Sequence, residues 1–372
     1  MATDLPKYQR ICEALKEEIL GHAYDGAHRF PSEIALSRRF GVGRTTVKRA
    51  LDELHHQGLI RSEQGRGTFV TRLARSRKIG LMLSGQSQYT EFFRPIIQAL
   101  VQQAQTNGYE LVFGDIFATD LTTRLKEARA LAQEFVEQRV SGVIFHPLEF
   151  SSDNGETNRQ ILAFFGRAQI PAVLIDSDVV EAPDRSAYDL VAIDNESAGA
   201  QLVRHMMSNG ARDVHFLMRP NWIPTVKNRA RGAMAAKTSL LGDGRVRSDV
   251  LTAEPDDIAA VRRYLKRNPT ADAFICQNDS TAAVFRQTLA ALGRRVPEDV
   301  MLAGFDDVSL ARAMTPPLTT IHQPCERLAE LALKCLVSRL SAPSVEVLTV
   351  QVSAPLVVRA STRRRTSAKE KP

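Results

Sequence analysis

The chain has 372 residues, of which 24% are charged and 44% hydrophobic, a mixture typical of a folded globular protein and unlike that of a disordered or fibrous one. This length predicts about two or three domains. No apolar run approaches the roughly 18 residues that a membrane span requires, and the start MATDLPKYQR lacks the apolar segment of a secretory signal. We therefore expect a cytoplasmic protein without a membrane partner.

The net charge of +7 is concentrated at the two ends of the chain. Residues 1–78 hold 15 Lys and Arg against 9 Asp and Glu, and residues 361–372 hold 5 against 1, so the middle is slightly acidic. A basic end on such a body indicates a polyanionic partner. The cysteines are scattered without a metal-ligand spacing, which favours buried free thiols and predicts no metal and no cofactor.

Three helices and a small hairpin are predicted in the first 71 residues. Apolar residues recur at three-and-four spacing after Tyr8, Ser32 is suited to cap a second helix, and a third helix stops before Gly58. Two short β-like runs flank the QGRG turn. The predicted elements, which outline a winged helix-turn-helix, are helices at 8–20, 32–40 and 44–57 and strands at 59–61 and 68–71.

From residue 78 onward, apolar strands alternate with amphipathic helices, the first helices being expected near 92–107, 121–139 and 158–167. This alternation predicts βαβ units, parallel doubly wound sheets and two lobes with a ligand cleft at the carboxyl ends of the strands. The nine predicted strands are 79–83, 110–115, 142–146, 171–176, 190–194, 214–218, 250–253, 273–277 and 300–306.

The third helix divides into two faces at about 100° per residue. Val47, Ala50, Leu51 and Leu54 form an apolar face. The opposite face and its flanks carry cations and hydroxyls suited to nucleic acid: Arg44, Thr45, Thr46, Lys48 and Arg49. The alternative is an ordinary solvated helix face.

Gly65 and Gly67 would let Arg66 reach a neighbouring groove, or would only make a hairpin turn. The run FPSEIALSRRFGVGRTTVKRALDELHHQGLIRSEQGRGTFV at 30–70 resembles the GntR-family winged-helix domain. The resemblance implies operator contacts from Arg44, Thr45, Thr46 and Lys48 in the helix and from Gln64, Gly65 and Arg66 in the wing.

This chain departs from the GntR pattern at two positions. Gly43 stands where a serine is common, and Ile34 where an arginine often follows Ser-Glu. Glycine is an acceptable helix cap, so the helix should form while a phosphate contact from each position is lost. Arg38 or Arg39 could compensate for the lost contacts.

Residues 78–360 resemble the effector domain of LacI/GalR repressors, which is similar to periplasmic sugar-binding proteins. The motifs are NRARG at 228–232, FICQNDSTAA at 274–283, GFDDVSLARAMTPPLTTIHQP at 304–324 and LVVRAST at 356–362. The resemblance implies a two-lobed domain whose chain crosses between lobes near Asp176, Gln323 and Leu340. The expected organisation is a winged-helix domain (1–71), a linker (72–77), the effector and dimerisation domain (78–360) and a basic tail without regular structure (361–372).

Polar and aromatic groups after the strands are suited to a polyhydroxylated ligand, since a guanidinium can bridge two hydroxyls and an aromatic ring can cover a sugar face. Arg229, Asn278 and Asp306 match ligand contacts of the family. The other candidates are Asp176, Trp222, Tyr89 and Phe93. The alternatives are turn caps for the aspartates, local backbone bonding for Asn278 and ordinary core for Trp222.

The two parts together predict a dimeric, ligand-responsive regulator of transcription, of the arabinose-repressor type, with operator DNA and a sugar-like molecule as partners. A sugar-binding transport component is the alternative, against which the missing signal sequence argues. The second alternative is an α/β enzyme fused to a DNA-binding head, as in GntR relatives with an aminotransferase-like domain, but the effector segment lacks the length and a recognisable cofactor-lysine context for it. Neither a glycine-rich phosphate loop nor G-x-S-x-G occurs, so phosphoryl transfer and acyl hydrolysis have no visible machinery.

Overall fold

A computed structural model describes an N-terminal helical unit followed by two α/β lobes. The described residues are 6–20, 24, 29–63, 66–71, 78–83, 91–114, 116, 120–148, 152–220, 223–242 and 249–363. Within them, no helix is long and apolar enough to cross a membrane.

The N-terminal unit contains three helices and one antiparallel hairpin around a single apolar core. Leu15, Leu36 and Leu54, one from each helix, are fully buried in this core. The predicted winged helix-turn-helix is therefore confirmed, with no boundary shifted by more than two residues. The elements are α1 (Lys7–Leu20), α2 (Glu33–Phe40), α3 (Arg44–His56), β1 (Ile60–Glu63) and β2 (Gly67–Val70).

The turn between α2 and α3 depends on local capping. Ser32 caps α2 as predicted, because its hydroxyl accepts a hydrogen bond from the Ala35 amide at 3.3 Å. Gly41 ends α2 in the left-handed conformation, with φ of 62°, which glycine adopts without steric cost. Gly43 then begins α3 in an extended conformation and offers no side-chain cap.

The first lobe is built on a six-stranded sheet in which all paired strands are parallel. The spatial order is β4-β3-β5-β6-β7-β13, from β3 (Lys78–Met82), β4 (Glu110–Gly114), β5 (Gly142–Phe145), β6 (Ala172–Ile175), β7 (Asp189–Ile193) and β13 (Thr349–Val352). The helices of this lobe are α4 (Phe93–Thr106), α5 (Leu121–Glu137), α6 (Ser152–Arg167) and α12 (Cys325–Ser341).

The second lobe repeats the arrangement, with the order β9-β8-β10-β11-β12-β14 and one antiparallel pair, β12–β14. Its strands are β8 (Val214–Met218), β9 (Val250–Thr252), β10 (Ala273–Cys276), β11 (Met301–Asp306), β12 (Thr319–His322) and β14 (Leu356–Val357). Its helices are α7 (Asn195–Ser208), α8 (Pro224–Leu241), α9 (Ile258–Arg267), α10 (Asp279–Ala291) and α11 (Ser309–Ala313).

All nine predicted strands are present to within one or two residues, and β12, β13 and β14 were missed. The missed strands are two to four residues long, and two of them lie at sheet edges. Edge strands bury less of their surface, so their hydrophobic signal is weak.

Two of the three predicted lobe crossings are wrong. β7 pairs with β6, so the chain leaves the first lobe after β7, at Asp194, and not at Asp176. The second crossing lies at 323–324, between β12 and α12. The third lies at 353–355, between β13 and β14, because Leu340 is buried in α12, which packs on the first sheet. A polar residue that ends an interior strand does not by itself mark a lobe exit.

All four cysteines are buried and free. Burial is the first cause that raises the pKa of the Cys12 thiol to about 11, so this thiol stays protonated at neutral pH.

Candidate functional site

Helix α3 presents an apolar face to the core and a polar face to solvent, as predicted. Val47, Ala50 and Leu54 are fully buried. On the opposite side Arg44, Thr45 and Lys48 are exposed, and Thr46 is half-buried. The exposed residues belong to the first turns of the helix, where backbone amides without intrahelical partners favour anions.

Two cations of α3 have no acidic partner among the described residues. Neither Arg44 nor Lys48 forms an ion pair there, and both side chains remain available for a ligand. Arg49 differs, because its guanidinium carbon lies 4.0 Å from the ring centroid of Tyr8 in α1. This cation–π contact stabilises the packing of α1 on α3 and restrains the reach of Arg49.

The two arginines at the end of α2 also differ. Arg39 forms an ion pair with Glu18 and a hydrogen bond to the Tyr24 hydroxyl, so it stabilises the N-terminal unit. Arg38 is exposed, with no such partner among the described residues. Only Arg38 is therefore positioned to replace the contact that Ile34 does not provide.

The wing is the β1–β2 hairpin, in which Glu63 lies opposite Gly67. Gly67 has φ of 111°, a conformation that disfavours a Cβ. The Arg66 side chain is 79% exposed at the tip, with its guanidinium 3.6 Å from the Glu63 carboxylate. Gln64 and Gly65 lie outside the described residues.

The wing is attached to α3 by a short polar ladder that sequence reasoning missed. The His55 ring is 2.8 Å from the Ser62 hydroxyl, which is 3.1 Å from that of Thr68. The Phe30 amide also donates to the Thr68 carbonyl at 2.7 Å. These hydrogen bonds join the wing to α3 and to the segment that precedes α2.

The second site lies between the lobes and centres on Arg229 of α8, which is 4% exposed. Its Nε donates to Asn195 Oδ1 and its Nη1 to the Gln277 carbonyl, each at 2.8 Å. The guanidinium carbon lies 4.4 Å from the Phe305 ring centroid, and Nη1 lies 3.8 Å from Asp306 Oδ1. The guanidinium is thus fixed in orientation at the carboxyl edge of the second sheet.

The spacing of the R-x-x-G motif has a packing cause. A Cβ on Gly232 would lie 2.0 Å from the Glu196 carbonyl oxygen, and one on Gly199 would lie 2.1 Å from the Arg229 carbonyl oxygen. Only glycine at these positions lets α7 and α8 approach closely enough to bring Asn195 against Arg229.

Asp306 ends β11 with φ of 105°, so its carboxylate turns toward Arg229 and the lobe crossing. Gln323 Nε2 donates to Asp306 Oδ1 at 2.7 Å. Burial raises the pKa of the Asp306 carboxyl. The charge of Arg229 and the hydrogen bond from Gln323 lower this pKa, and the charge of the Asp176 carboxylate raises it. Asp176 follows β6 in the first lobe and Asp306 ends β11 in the second, so both lie at strand ends that face the cleft.

The first lobe contributes Asp176, His146 and Phe93, all of them buried. Asp176 has φ of 67°, and its Oδ2 lies 3.5 Å from His146 Nε2. The Phe93 ring packs against His146 with centroids 4.6 Å apart. The cleft thus combines carboxylates, an arginine, a histidine and aromatic surface, as in sites for polar organic ligands.

Of the remaining predicted ligand residues, the structure describes only Asn278. Asn278 caps α10, since its Oδ1 accepts a hydrogen bond from the Thr281 amide at 2.9 Å. Local backbone bonding was the alternative interpretation of this residue. The cap leaves only the side-chain nitrogen, Nδ2, for a ligand. Trp222 and Tyr89 lie outside the described residues.

Four cleft residues were not predicted from the sequence. They share one signal, because each follows the carboxyl end of a strand by one or two positions, where ligands of doubly wound sheets bind. They are His146 after β5, Asn195 after β7, Gln277 after β10 and Gln323 after β12.

The two rims of the cleft are bridged by hydrogen bonds between the lobes. On one rim, the Ser309 amide donates to Glu91 Oε2 at 2.6 Å, and the Ser309 hydroxyl donates to the other carboxylate oxygen. On the other rim, Lys227 Nζ donates to Glu181 Oε2 at 2.8 Å. These bridges connect the two lobes on both rims of the cleft.

A separate buried cluster lies at the amino end of β8, away from the cleft. Asp213, His215 and Asp249 have metal-ligand chemistry, but the Lys237 ammonium lies 2.6 Å from Asp213 and 2.5 Å from Asp249. Burial disfavours a charged Asp213, yet its hydrogen bonds with Lys237 and Thr270 lower its pKa to about 2. The cluster is a buried ion-pair network that already contains its cation.

Comparison with known proteins identifies both parts of the chain. Residues 7–70 match the model described as bacterial regulatory proteins of the gntR family, and residues 203–362 match the periplasmic binding protein-like domain. The chain is a GntR-type winged helix joined to a periplasmic-binding-protein-like domain. This GntR-type chain is 27% identical to the arabinose metabolism transcriptional repressor of Geobacillus stearothermophilus, over 96% of its own length and 98% of that protein.

One further relative and one solved structure are similar over most of the chain. The repressor PurR of Mannheimia succiniciproducens is 27% identical over 88% of the GntR-type chain and 98% of its own. The solved structure of the transcriptional regulator CelR with cellobiose superposes with a TM-score of 0.66 at 22% identity, covering 89% of this chain and all of that one. The relatives are regulators of transcription, as the sequence predicted, and the transport alternative finds no support among them.

Proposed function

We propose that this protein is a transcriptional repressor that binds operator DNA as a homodimer and whose affinity for that DNA is altered by a sugar. The observation that carries the proposal is the presence, in one chain, of a helix face whose Arg44 and Lys48 have no acidic partner among the described residues and of an interlobe cleft centred on Arg229 and Asp306. The full-length likeness to a repressor of arabinose metabolism supports both the repressor role and the sugar. A repressor of this type acts in the cytoplasm and performs no catalysis.

In this proposal Arg44, Thr45, Thr46 and Lys48 contact the operator from α3, and the wing tip at 64–66 reaches the adjacent groove. Arg38 adds a phosphate contact. Arg49 contributes positive potential more than direct contact, since it stacks on Tyr8. Phosphate contacts provide most of the affinity and make it sensitive to salt, while side chains at base edges provide specificity.

Dimerisation would use surfaces on both lobes. Phe113 is 44% exposed on β4, the edge strand of the first sheet, and Ile258 and Val284 are 41% and 37% exposed on α9 and α10. Exposed large apolar side chains on both lobes support an interface that responds when one lobe moves relative to the other. Only six residues, 72–77, join the two parts, so lobe movement would be transmitted to the DNA-binding units.

The cleft ligand would act by binding one lobe arrangement more tightly than the other, because only differential affinity can shift such an equilibrium. Arg229, Asp306 and Asp176 would bind hydroxyl groups, with Phe93 behind them. The rim bridges between Glu91 and Ser309 and between Lys227 and Glu181 would favour the closed arrangement.

Fluorescence anisotropy with labelled fragments from upstream of the protein's own gene tests the proposal. We expect binding that weakens steeply with salt, and a further loss for Arg44→Ala and for Lys48→Ala with a salt slope smaller by about one for each lost phosphate contact. Arg262→Ala, an equal charge change on an exposed residue of the second lobe, should leave both quantities unchanged. Equal effects from all three variants would show that binding depends on net charge and not on the α3 face.

A further inference from the structure

Three buried polar atoms around the cleft have no hydrogen-bond partner among the described residues: Asp176 Oδ1, Thr225 Oγ1 and Gln323 Oε1. Their residues are 3%, 2% and 1% exposed. They come from the first lobe, from α8 one turn before Arg229, and from the second crossing. Buried polar groups in native proteins are almost always paired, since an unpaired group loses its hydration without replacement.

The chemistry of these atoms indicates what a partner must offer. A carboxylate oxygen and an amide oxygen only accept hydrogen bonds, and a threonine hydroxyl both donates and accepts. The ligand must therefore donate at least two hydrogen bonds in different directions. Arg229 still has Nη2 without a partner among the described residues, which provides donors for ligand oxygens. Such alternation of donors and acceptors matches a polyol.

The charges of the cleft restrict the ligand further. Asp176 and Asp306 lie at the carboxyl ends of strands in opposite lobes, and the Arg229 guanidinium is already engaged with Asn195, the Gln277 carbonyl and Asp306. An anionic group in this space would meet two carboxylates where water is excluded, and like charges in such a site are strongly unfavourable.

We infer that the cleft selects an uncharged polyhydroxylated ligand and rejects its phosphorylated and carboxylated counterparts, and that Asp176 is the residue that enforces this choice. The inference rests on the proposed sugar-binding function and narrows it to one charge class. The selection has a physical cause. Asp176 Oδ1, which has no hydrogen-bond partner among the described residues, can accept a hydrogen bond from a ligand hydroxyl but repels an anionic oxygen at the same position.

The test compares matched ligand pairs on the full-length protein by isothermal titration calorimetry. The probes are neutral pentoses and hexoses, their sugar phosphates and their uronic acids. We expect at least one neutral sugar to bind, with its anionic counterparts at least about tenfold weaker, as like-charge juxtaposition in a desolvated site predicts. Asp176→Asn keeps the side-chain size but removes the charge, so it should weaken the neutral sugar and narrow the neutral-to-anionic ratio.

Glu156→Gln is the matched control, because it removes one negative charge from the first lobe at an exposed side chain of α6 that pairs with Arg159. The control should leave the neutral-to-anionic ratio unchanged. Tighter binding of a phosphorylated or carboxylated sugar by the wild-type protein would overturn the inference while leaving the sugar-responsive repressor intact. An equal narrowing by both variants would also overturn the role of Asp176. Absence of binding by every probe would refute the sugar proposal itself.

Discussion

Replacing Gly43 with serine should stabilise the helix that we assign to DNA contact. Gly43 has φ of −66° and ψ of 152°, an extended conformation open to any residue, and α3 begins there without a side-chain cap. A Cβ at this position would meet only the Thr45 hydroxyl, at 3.9 Å. A serine therefore fits without strain and places its hydroxyl where it can accept from an amide of the first turn.

The size of the effect follows from two contributions of the same sign. Serine in place of glycine as a cap contributes a few tenths of a kcal/mol, and the loss of glycine's freedom in the unfolded chain contributes about 0.4–1 kcal/mol. The sum, about 0.5–1.5 kcal/mol, corresponds to a rise of several degrees in the melting temperature of a domain of about 70 residues. Calorimetry of the full chain, with the transition of the N-terminal unit followed separately, measures this change.

Gly43→Ala is the control that isolates the hydroxyl, because alanine removes the same backbone freedom but cannot cap the helix. We expect the serine variant to be the most stable, by about 1 kcal/mol over alanine, with alanine close to glycine because its gain in the unfolded chain offsets its poorer capping. Equal melting temperatures for the serine and alanine variants would refute the reasoning, since they would show that no capping hydrogen bond forms.

Two further predictions concern the second lobe. Gly232→Ala should destabilise this lobe by about 1–3 kcal/mol and abolish ligand binding in calorimetry, because the new Cβ would lie 2.0 Å from the Glu196 carbonyl oxygen. The control Gly166→Ala, whose Cβ meets nothing within 4 Å, should be neutral or stabilising. Equal losses of stability in the two variants would contradict the packing argument. Lys237→Met should cost about 3–5 kcal/mol in urea denaturation, because it leaves buried carboxylates uncompensated. Since the folded pKa of Asp213 is about 2 against an ordinary 3.8, its stabilisation is present above about pH 4 and should be lost as the pH falls toward 2; a flat stability profile there would contradict the ion-pair assignment.

Much of the fold could be predicted because its elements depend on local pattern. The apolar face of α3, the Ser32 cap and the interior strands follow from spacing and burial along a few residues. The family motifs predicted Arg229 and Asp306 as ligand contacts, and the structure places the Nη1 of Arg229 3.8 Å from the Oδ1 of Asp306.

The parts that were missed depend on contacts between distant segments. The sequence near Asp176 does not indicate that β7 joins the first sheet before the chain crosses to the second lobe, because strand order depends on contacts between distant segments. The stacking of Arg49 on Tyr8 joins α3 to α1 through two residues that lie 41 positions apart in the sequence. His146 and Gln323 carry no motif, and only their positions after strand ends could have indicated the cleft.

The most direct test of the account is the operator affinity of the full-length protein measured with and without a saturating sugar that binds the cleft. We predict salt-sensitive binding whose affinity changes by about fivefold or more on ligand addition, and an equal change in sugar affinity when operator is present, because coupling between two binding sites is reciprocal. The same salt-sensitive affinity in both conditions, with the cleft occupied, would contradict the claim that the two sites are coupled.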